Sequence, residues 1–343
     1  MKILVIKIGA LGDVVRTSFV AHALKEKYKD KNPYLIWLTH KNAQDVFANN
    51  LYVDELILDE EKLKNRASRS YWNREGFDLI VNFAEDVETV EFASSLITKE
   101  RIGFFIQDGK IVPTPTAKEW FDMSLHGKKP QNDILKKQNK KTHRQIMAKM
   151  IGVDYQKYES VINLTEGQKK LSQDFSRRYH LDKIKDLIIG VNTGSAGRWP
   201  KQLPIKKTAA LIDRLVKKFN AKIILFGGPN EIKRNKDIIE NAKSYIIDAG
   251  CYNTLSEFMA LVNCCNMFIS SDSLGLHIAL GLKIKSICLI GPTSEVEIDM
   301  CGHGEKVISE SKCVCCYKND CKSMEKINLE HIIGKVKKLK RNE

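Results

Sequence analysis

Five short stretches of this 343-residue chain combine residue types that can do chemistry. The first, Lys7-Ile8-Gly9-Ala10-Leu11-Gly12-Asp13, sets a carboxylate just after an apolar run and a glycine turn. In a doubly wound sheet that place lies beyond the carboxyl end of a strand, where ligands bind. Asp13 can act there as a general base or, more plainly, as a helix N-cap. The spacing is not Gly-x-Gly-x-x-Gly, so the usual dinucleotide fingerprint is missing. The second stretch is Thr193-Gly194-Ser195-Ala196-Gly197-Arg198-Trp199-Pro200. Its small residues let backbone N–H groups approach an anion, and the Arg198 fork can neutralise a pyrophosphate. It lacks the Walker spacing and lysine, and a flexible strand–helix connection is the plainer reading.

The third stretch, Ser270-Ser271-Asp272-Ser273-Leu274-Gly275-Leu276-His277, gathers hydroxyls, amides and an imidazole at a helix N-terminus. The helix dipole favours anions at that end. Taken singly, Asp272 or Ser273 reads as a cap and His277 as a buried, hydrogen-bonded residue. In the fourth, Phe226-Gly227-Gly228-Pro229-Asn230-Glu231, the carboxylate can hold a ribose hydroxyl pair or serve as a favourable first-turn acid. The fifth is Cys313-Val314-Cys315-Cys316-Tyr317-Lys318-Asn319-Asp320-Cys321. Cys313, Cys316 and Cys321 could hold a structural zinc or an iron–sulfur cluster. The paired Cys-x-x-Cys spacing is missing, and free reduced thiols are the simpler alternative.

Positioning these side chains takes regular elements. An apolar run at 3–8 leads through the glycine turn into a helical pattern with Val15, Phe19 and Ala23 on one face, the opening of a βαβ unit. Strands are expected at 34–39, 55–58, 79–82 and 101–104, with a helix at 86–97. Residues 107–141 read as polar and turn-rich, and 142–151 as a helix. After a charged segment near 165–186 a second series follows. It has strands at 187–191, 222–226, 245–247, 267–270 and 284–290, helices at 205–219, 254–264 and 274–280, and a basic terminal helix near 326–340. Alternation of this kind predicts α/β architecture, with parallel sheets covered on both faces, in two doubly wound domains.

Composition narrows the function classes. Hydrophobic residues make up 43% and charged residues 29%, a globular rather than disordered composition. No apolar run approaches the ~20 residues that span a bilayer. The apolar residues between Lys2 and Lys7 are too few for a signal-peptide core, so a cytoplasmic protein is expected. The net charge of +14 suggests an anionic partner: a phosphorylated substrate, an acidic membrane surface or nucleic acid. No stacking-aromatic module or DNA-binding motif accompanies the charge, which argues against nucleic acid. Nine cysteines, none before Cys251, argue against a disulfide framework. Two basic segments, 128–149 and 335–341, read as solvated faces or as surfaces for a membrane or a phosphorylated acceptor.

In their order along the chain, these motifs resemble glycosyltransferase family 9, the bacterial heptosyltransferase family. The resemblance runs through KIGALGDVVRTS, WFDMSLHG, NTGSAGRWP, LFGGPNE, SDSLGLHIALGL and LIGPTSEVEI. It implies the GT-B fold, two Rossmann-like domains facing across a cleft, with residues 1–165 binding the acceptor and 166–343 the nucleotide sugar. The implied activity is an inverting transfer of a sugar, foremost heptose from ADP-heptose, to the inner core of lipopolysaccharide. Another donor or glycan acceptor within the family is the alternative. A non-catalytic sugar-nucleotide-binding protein and a nicotinamide-dependent oxidoreductase are more distant ones.

Carried over by position, Asp13 corresponds to the catalytic base, with Lys7 nearby on the acceptor side. Thr193 and Arg198 correspond to diphosphate contacts, Glu231 to a ribose contact, and Asp272, Ser273, Gly275 and His277 to the donor-sugar and pyrophosphate loop. Gly9, Gly12, Gly194, Gly228 and Thr254 complete the expected substrate-binding set. No cofactor is implied for catalysis. The expected partners are a nucleotide-sugar donor, a phosphorylated glycolipid acceptor and the cytoplasmic surface of the inner membrane, without nucleic acid. The sequence departs from the family at two places. Leu274 follows the Asp-Ser pair where Gly is common, and Ser323 precedes Met324 where second-heptose transferases carry a further Cys. Cys315 or Cys301 would have to complete a four-thiolate site.

Overall fold

A computed structural model describes residues 1–59, 72, 76–195, 197 and 199–341. The chain forms two compact units, Met1–Ile162 and Asn163–Glu343. The first is built on β1 (Lys2–Ile6), β2 (Tyr34–His40), β3 (Glu55–Asp59), β4 (Phe77–Asn82), β5 (Thr98–Gln107) and β6 (Lys110–Pro113), in the spatial order β3-β2-β1-β4-β5-β6. All pairs are parallel except β5 with β6. Leu4 lies in register with Ile36 on one side and Ile80 on the other, and all three are buried. Near-continuous apolar runs of this kind are what a sheet covered on both faces requires. The strand order reverses between β1 and β4, so a crevice opens beyond their carboxyl ends.

The second unit repeats the plan with β7 (Ile188–Asn192), β8 (Lys222–Phe226), β9 (Ile247–Asp248), β10 (Met267–Ser271), β11 (Lys285–Ile290) and β12 (Gly304–Ile308). Its order is β12-β11-β10-β7-β8-β9, every pair parallel, and here the reversal falls between β7 and β10. The basic terminal helix, Leu329–Arg341, is part of this unit. It buries Leu329, Ile332, Ile333, Val336 and Leu339 in the core beneath the sheet. The expected α/β architecture of two Rossmann-like units is thus the one observed.

Three features depart from the sequence expectation. The polar segment 107–141 holds β6 and two helices, Lys118–Met123 and Gln131–Gln138. The second of these buries only Asn132, so it carries no apolar stripe to read. The charged segment after 165 is a helix, Glu166–Arg178, whose buried face is Gln168 and Ser172. Gln168 Nε2 donates to Ser256 Oγ at 2.9 Å, and Ser172 Oγ lies 3.2 Å from Cys264 Sγ. Its reciprocal cap, Thr165 with Gln168, was a visible start signal that hydrophobic periodicity overlooks. The third is β12, a short edge strand with one buried residue.

Candidate active site

Each unit sets functional side chains at its own crevice. In the first, Lys7 sits just past β1, is buried, and donates from Nζ to the Phe83 carbonyl just past β4 at 3.4 Å. It therefore spans the point where the strand order reverses. Asp13 is the third residue of the helix Leu11–Thr17, whose cap is Ala10, so the N-cap reading of Asp13 does not hold. Its Oδ1 accepts from Arg16 Nε at 2.9 Å and Nη2 at 2.8 Å. The Asp13 side chain stays 36% exposed. Gly12 lies in the same helical turn, and a Cβ on Gly9 would meet nothing within 4 Å. Glu85, which the sequence did not single out, anchors the WFDMSLHG segment. Its Oε1 accepts from Trp120 Nε1 at 3.0 Å, and His126 Nε2 lies 2.7 Å from its carbonyl oxygen.

In the second unit the residues of three predicted stretches come together beyond β7, β8 and β10. Ser273 occupies the N-cap position of the helix Leu274–Gly281 but makes no side-chain cap bond. Its hydroxyl lies 2.9 Å from Ser270 Oγ and accepts from Asn192 Nδ2 at 3.2 Å. The first-turn amides of the helix are left without a side-chain cap, which is the arrangement an anion uses. Asp272 and His277 flank this mouth. His277 is buried, with Nε2 3.6 Å from Asp272 Oδ1. Lys201, missed in the sequence because a single lysine after a proline carries no pattern, lies 3.4 Å from Asp272 Oδ2 and also donates to the Asp272 carbonyl.

Thr193 is buried, and its hydroxyl is engaged by the Phe226 carbonyl at 3.0 Å and Asn235 Oδ1 at 2.6 Å. Those bonds tie the loop after β7 to the end of β8. Gly194 is held by Asn192 Oδ1 and lies near Glu231, whose Oε2 would be 3.6 Å from a Cβ there. Glu231 is buried. Its Oε2 accepts from Gly228 N at 3.0 Å and its Oε1 from Gln202 Nε2 at 3.0 Å. Burial pulls the neighbouring Arg234 guanidinium below its usual range, and the Glu231 carboxylate offsets part of that. Thr254 caps the helix Leu255–Val262 in a reciprocal box with Glu257. Arg198 lies outside the described residues.

The cysteines behave as a separate group. Among the described residues, the Sγ atoms of Cys313, Cys316 and Cys321 all lie within 4.8 Å of one another. Cys315 and Cys301 are not part of that cluster, so neither supplies a fourth thiolate. Ser323 N–H donates to Cys321 Sγ at 3.4 Å, and Ser323 Oγ lies 3.1 Å from the same sulfur. Burial, together with the neighbouring thiols, pushes the Cys316 thiol up to about 11. The loop between these cysteines is pinned by Cys315 N to the Gly291 carbonyl (3.2 Å) and Tyr317 N to the Pro292 carbonyl (2.9 Å). The Tyr317 ring meets Trp199 edge-on at 5.7 Å, which connects the cysteine loop to the segment after β7.

Comparison with known proteins bears on this geometry. The family model for glycosyltransferase family 9 (heptosyltransferase) matches residues 115–327. The chain is 23% identical to lipopolysaccharide heptosyltransferase 1 of Campylobacter coli, across 99% of both proteins. Among solved structures, the glycosyl transferase family 9 protein of Veillonella parvula superposes with a TM-score of 0.79 at 18% identity, covering 100% of this chain and 98% of that one. The E. coli ADP-heptose lipopolysaccharide heptosyltransferase II follows at 0.71 and 17%, covering 99% and 98%. At those identities the likeness is one of fold. The family match spans well over half of the sequence, and it includes the loops that build the second unit's crevice. This chain is therefore a glycosyltransferase and belongs to family 9, the heptosyltransferase family.

Proposed function

We propose that the enzyme transfers heptose from ADP-heptose to a sugar of the lipopolysaccharide inner core, with inversion at the anomeric carbon. The observation that carries the donor side is the uncapped mouth of the helix Leu274–Gly281 beside Lys201, Asp272 and His277. Amide donors, a lysine and an imidazole converge where a diphosphate would need them. The nature of the relatives, a lipopolysaccharide heptosyltransferase and an ADP-heptose transferase, supports the choice of sugar and nucleotide.

In this mechanism the Asp13 carboxylate takes the proton of an acceptor hydroxyl. The freed oxygen pair forms the new bond to the anomeric carbon from the face opposite the diphosphate. The bond from that carbon to the diphosphate oxygen breaks, and ADP leaves with its electrons. Lys7 orients the acceptor. The Gly275 and Leu276 backbone N–H groups and the His277 imidazole face the leaving charge, and Arg198 adds its fork. Each Glu231 oxygen accepts one bond within the protein and keeps a second lone pair for a ribose hydroxyl. Thr193, with its proton already engaged, fixes the loop.

Two finer assignments belong to the same proposal. Cys313, Cys316 and Cys321 fit a structural metal such as zinc, which would draw the three sulfurs together and hold Tyr317 against Trp199. The first unit's basic segment serves an anionic membrane surface that carries a phosphorylated acceptor. Lys141 and Lys149 there are paired with Glu119, whereas Lys128, Lys129, Lys137 and Lys140 have no carboxylate partner among the described residues. They flank the exposed Leu125 (67%) and Ile134 (41%).

The experiment is thermal unfolding of the full chain with ADP, UDP, GDP and NAD at matched concentrations. A ligand binding only the folded state adds ~2.7 kcal/mol at a hundredfold excess over its dissociation constant. Stabilisation by ADP alone is expected. Stabilisation by UDP or GDP instead keeps the transferase and removes ADP-heptose, and stabilisation by NAD alone overturns the donor site.

A further inference from the structure

Asn192 ends β7 and reaches across the strand reversal to β10. Its Nδ2 lies 3.0 Å from Ser270 Oγ, 3.2 Å from Ser273 Oγ and 3.3 Å from the Gly194 carbonyl. Its Oδ1 accepts from Gly194 N at 3.4 Å. One side chain thus holds both the loop after β7 and the start of the helix after β10. A serine at an N-cap position normally turns its oxygen onto an amide of its own helix. Ser273 does not, because Asn192 and Ser270 hold that oxygen.

Gly275 shows that the chain makes room for this contact. A Cβ there would stand 2.9 Å from Asn192 Nδ2, closer than real Cβ atoms come, and a tight 3.2 Å from its Cγ. Glycine inside a helix is unfavourable, so its presence here matches a close approach rather than a helical preference.

We propose that Asn192 is a positioning residue for the donor. By holding the Ser273 hydroxyl aside, it keeps the first-turn amides of the helix Leu274–Gly281 available to the diphosphate. The inference rests on the donor site proposed above and adds to it the device that keeps that site open. Asn192 need not touch the substrate.

The test measures ADP affinity by calorimetry, and donor KM, acceptor KM and kcat by turnover, on the full-length enzyme. Asn192→Ala removes one of the two contacts on the Ser273 hydroxyl, leaving only Ser270 to compete with capping of the helix, and Gly275→Ala displaces Asn192 without altering its chemistry. Each is expected to weaken ADP binding and raise donor KM about tenfold, the loss of one charge-assisted hydrogen bond, with acceptor KM unchanged. Removing the hydroxyl as well, in Asn192→Ala/Ser273→Ala, leaves no side chain to cap the helix and is expected to bind ADP more tightly than Asn192→Ala alone, but below wild type because Ser273 belongs to the donor loop. A purely structural role would make that double variant weaker still. If Asn192→Ala is too unstable, Asn192→Ser, too short to reach the Ser273 hydroxyl, gives the same comparison. Wild-type affinity in the single variants, or further loss in the double, overturns the role of Asn192 and leaves the donor reading standing. A wild-type enzyme that binds no ADP overturns both.

Discussion

At the scale of single residues, chemistry was readable where types cluster and unreadable where one common residue does the work. Asp13 stood out because a carboxylate after a glycine turn is unusual, and the structure removes its plainest explanation by giving the cap to Ala10. Asn192, Lys201 and Glu85 carried no signal. Asparagine at a strand end and lysine in a loop are ordinary, and their meaning comes only from what folds against them. Thr254 reads differently in context, since its hydroxyl and backbone N–H are both engaged by Glu257. If Asp13 is the base, Asp13→Ala lowers kcat by roughly 10²–10⁴ and leaves ADP binding intact. A steady-state assay beside an ADP titration checks this, and unchanged kcat would remove Asp13 from the mechanism. Replacing Arg16, which grips the Asp13 carboxylate, would loosen that group rather than delete it.

At the scale of elements, the buried strands were legible because parallel strands covered on both faces leave long apolar runs. The 222–226 strand and the 205–219 helix match the structure residue for residue. Helices with polar buried faces, such as Glu166–Arg178, were hidden, because their packing runs through Gln168 and Ser172 rather than through an apolar stripe. The terminal helix shows that a basic run can be both surface and structure. Its lysines Lys335 and Lys338 close on Glu305 at 2.7 and 2.5 Å, while its other face enters the core. Their hydrogen bonds hold the Glu305 carboxyl below its ordinary value of 4.5. A carboxyl depressed in the folded state adds stability that is complete above the unfolded value and lost as pH falls through the folded one. Thermal unfolding followed from pH 7 to pH 3 should therefore show a component of the acid loss that Glu305→Gln lacks. Identical pH dependence in the two proteins would mean that this ion pair does not dock the helix.

At the scale of the whole molecule, two similar sheets each reverse their strand order once, and each puts a side chain from the end of its first strand across the gap. Lys7 does so in the first unit and Asn192 in the second. The two-domain α/β plan was legible in the alternation of elements, and the family in the order of its motifs. The loop that carries Trp199 is tied to the cysteine loop through Tyr317, a connection no local pattern encodes. If a metal completes that clip, purified protein carries stoichiometric zinc or iron by elemental analysis, and Cys316→Ser loses both the metal and several degrees of Tm. Metal-free protein of unchanged Tm would leave the three thiols simply reduced. The central claim is the transfer itself, and the most direct measurement is ADP release from ADP-heptose with and without a lipopolysaccharide inner-core acceptor, with the product glycan weighed by mass spectrometry. The account predicts ADP release only when both substrates are present, and a product heavier by a single heptose. No release from ADP-heptose, alongside turnover of a different sugar nucleotide, would contradict it.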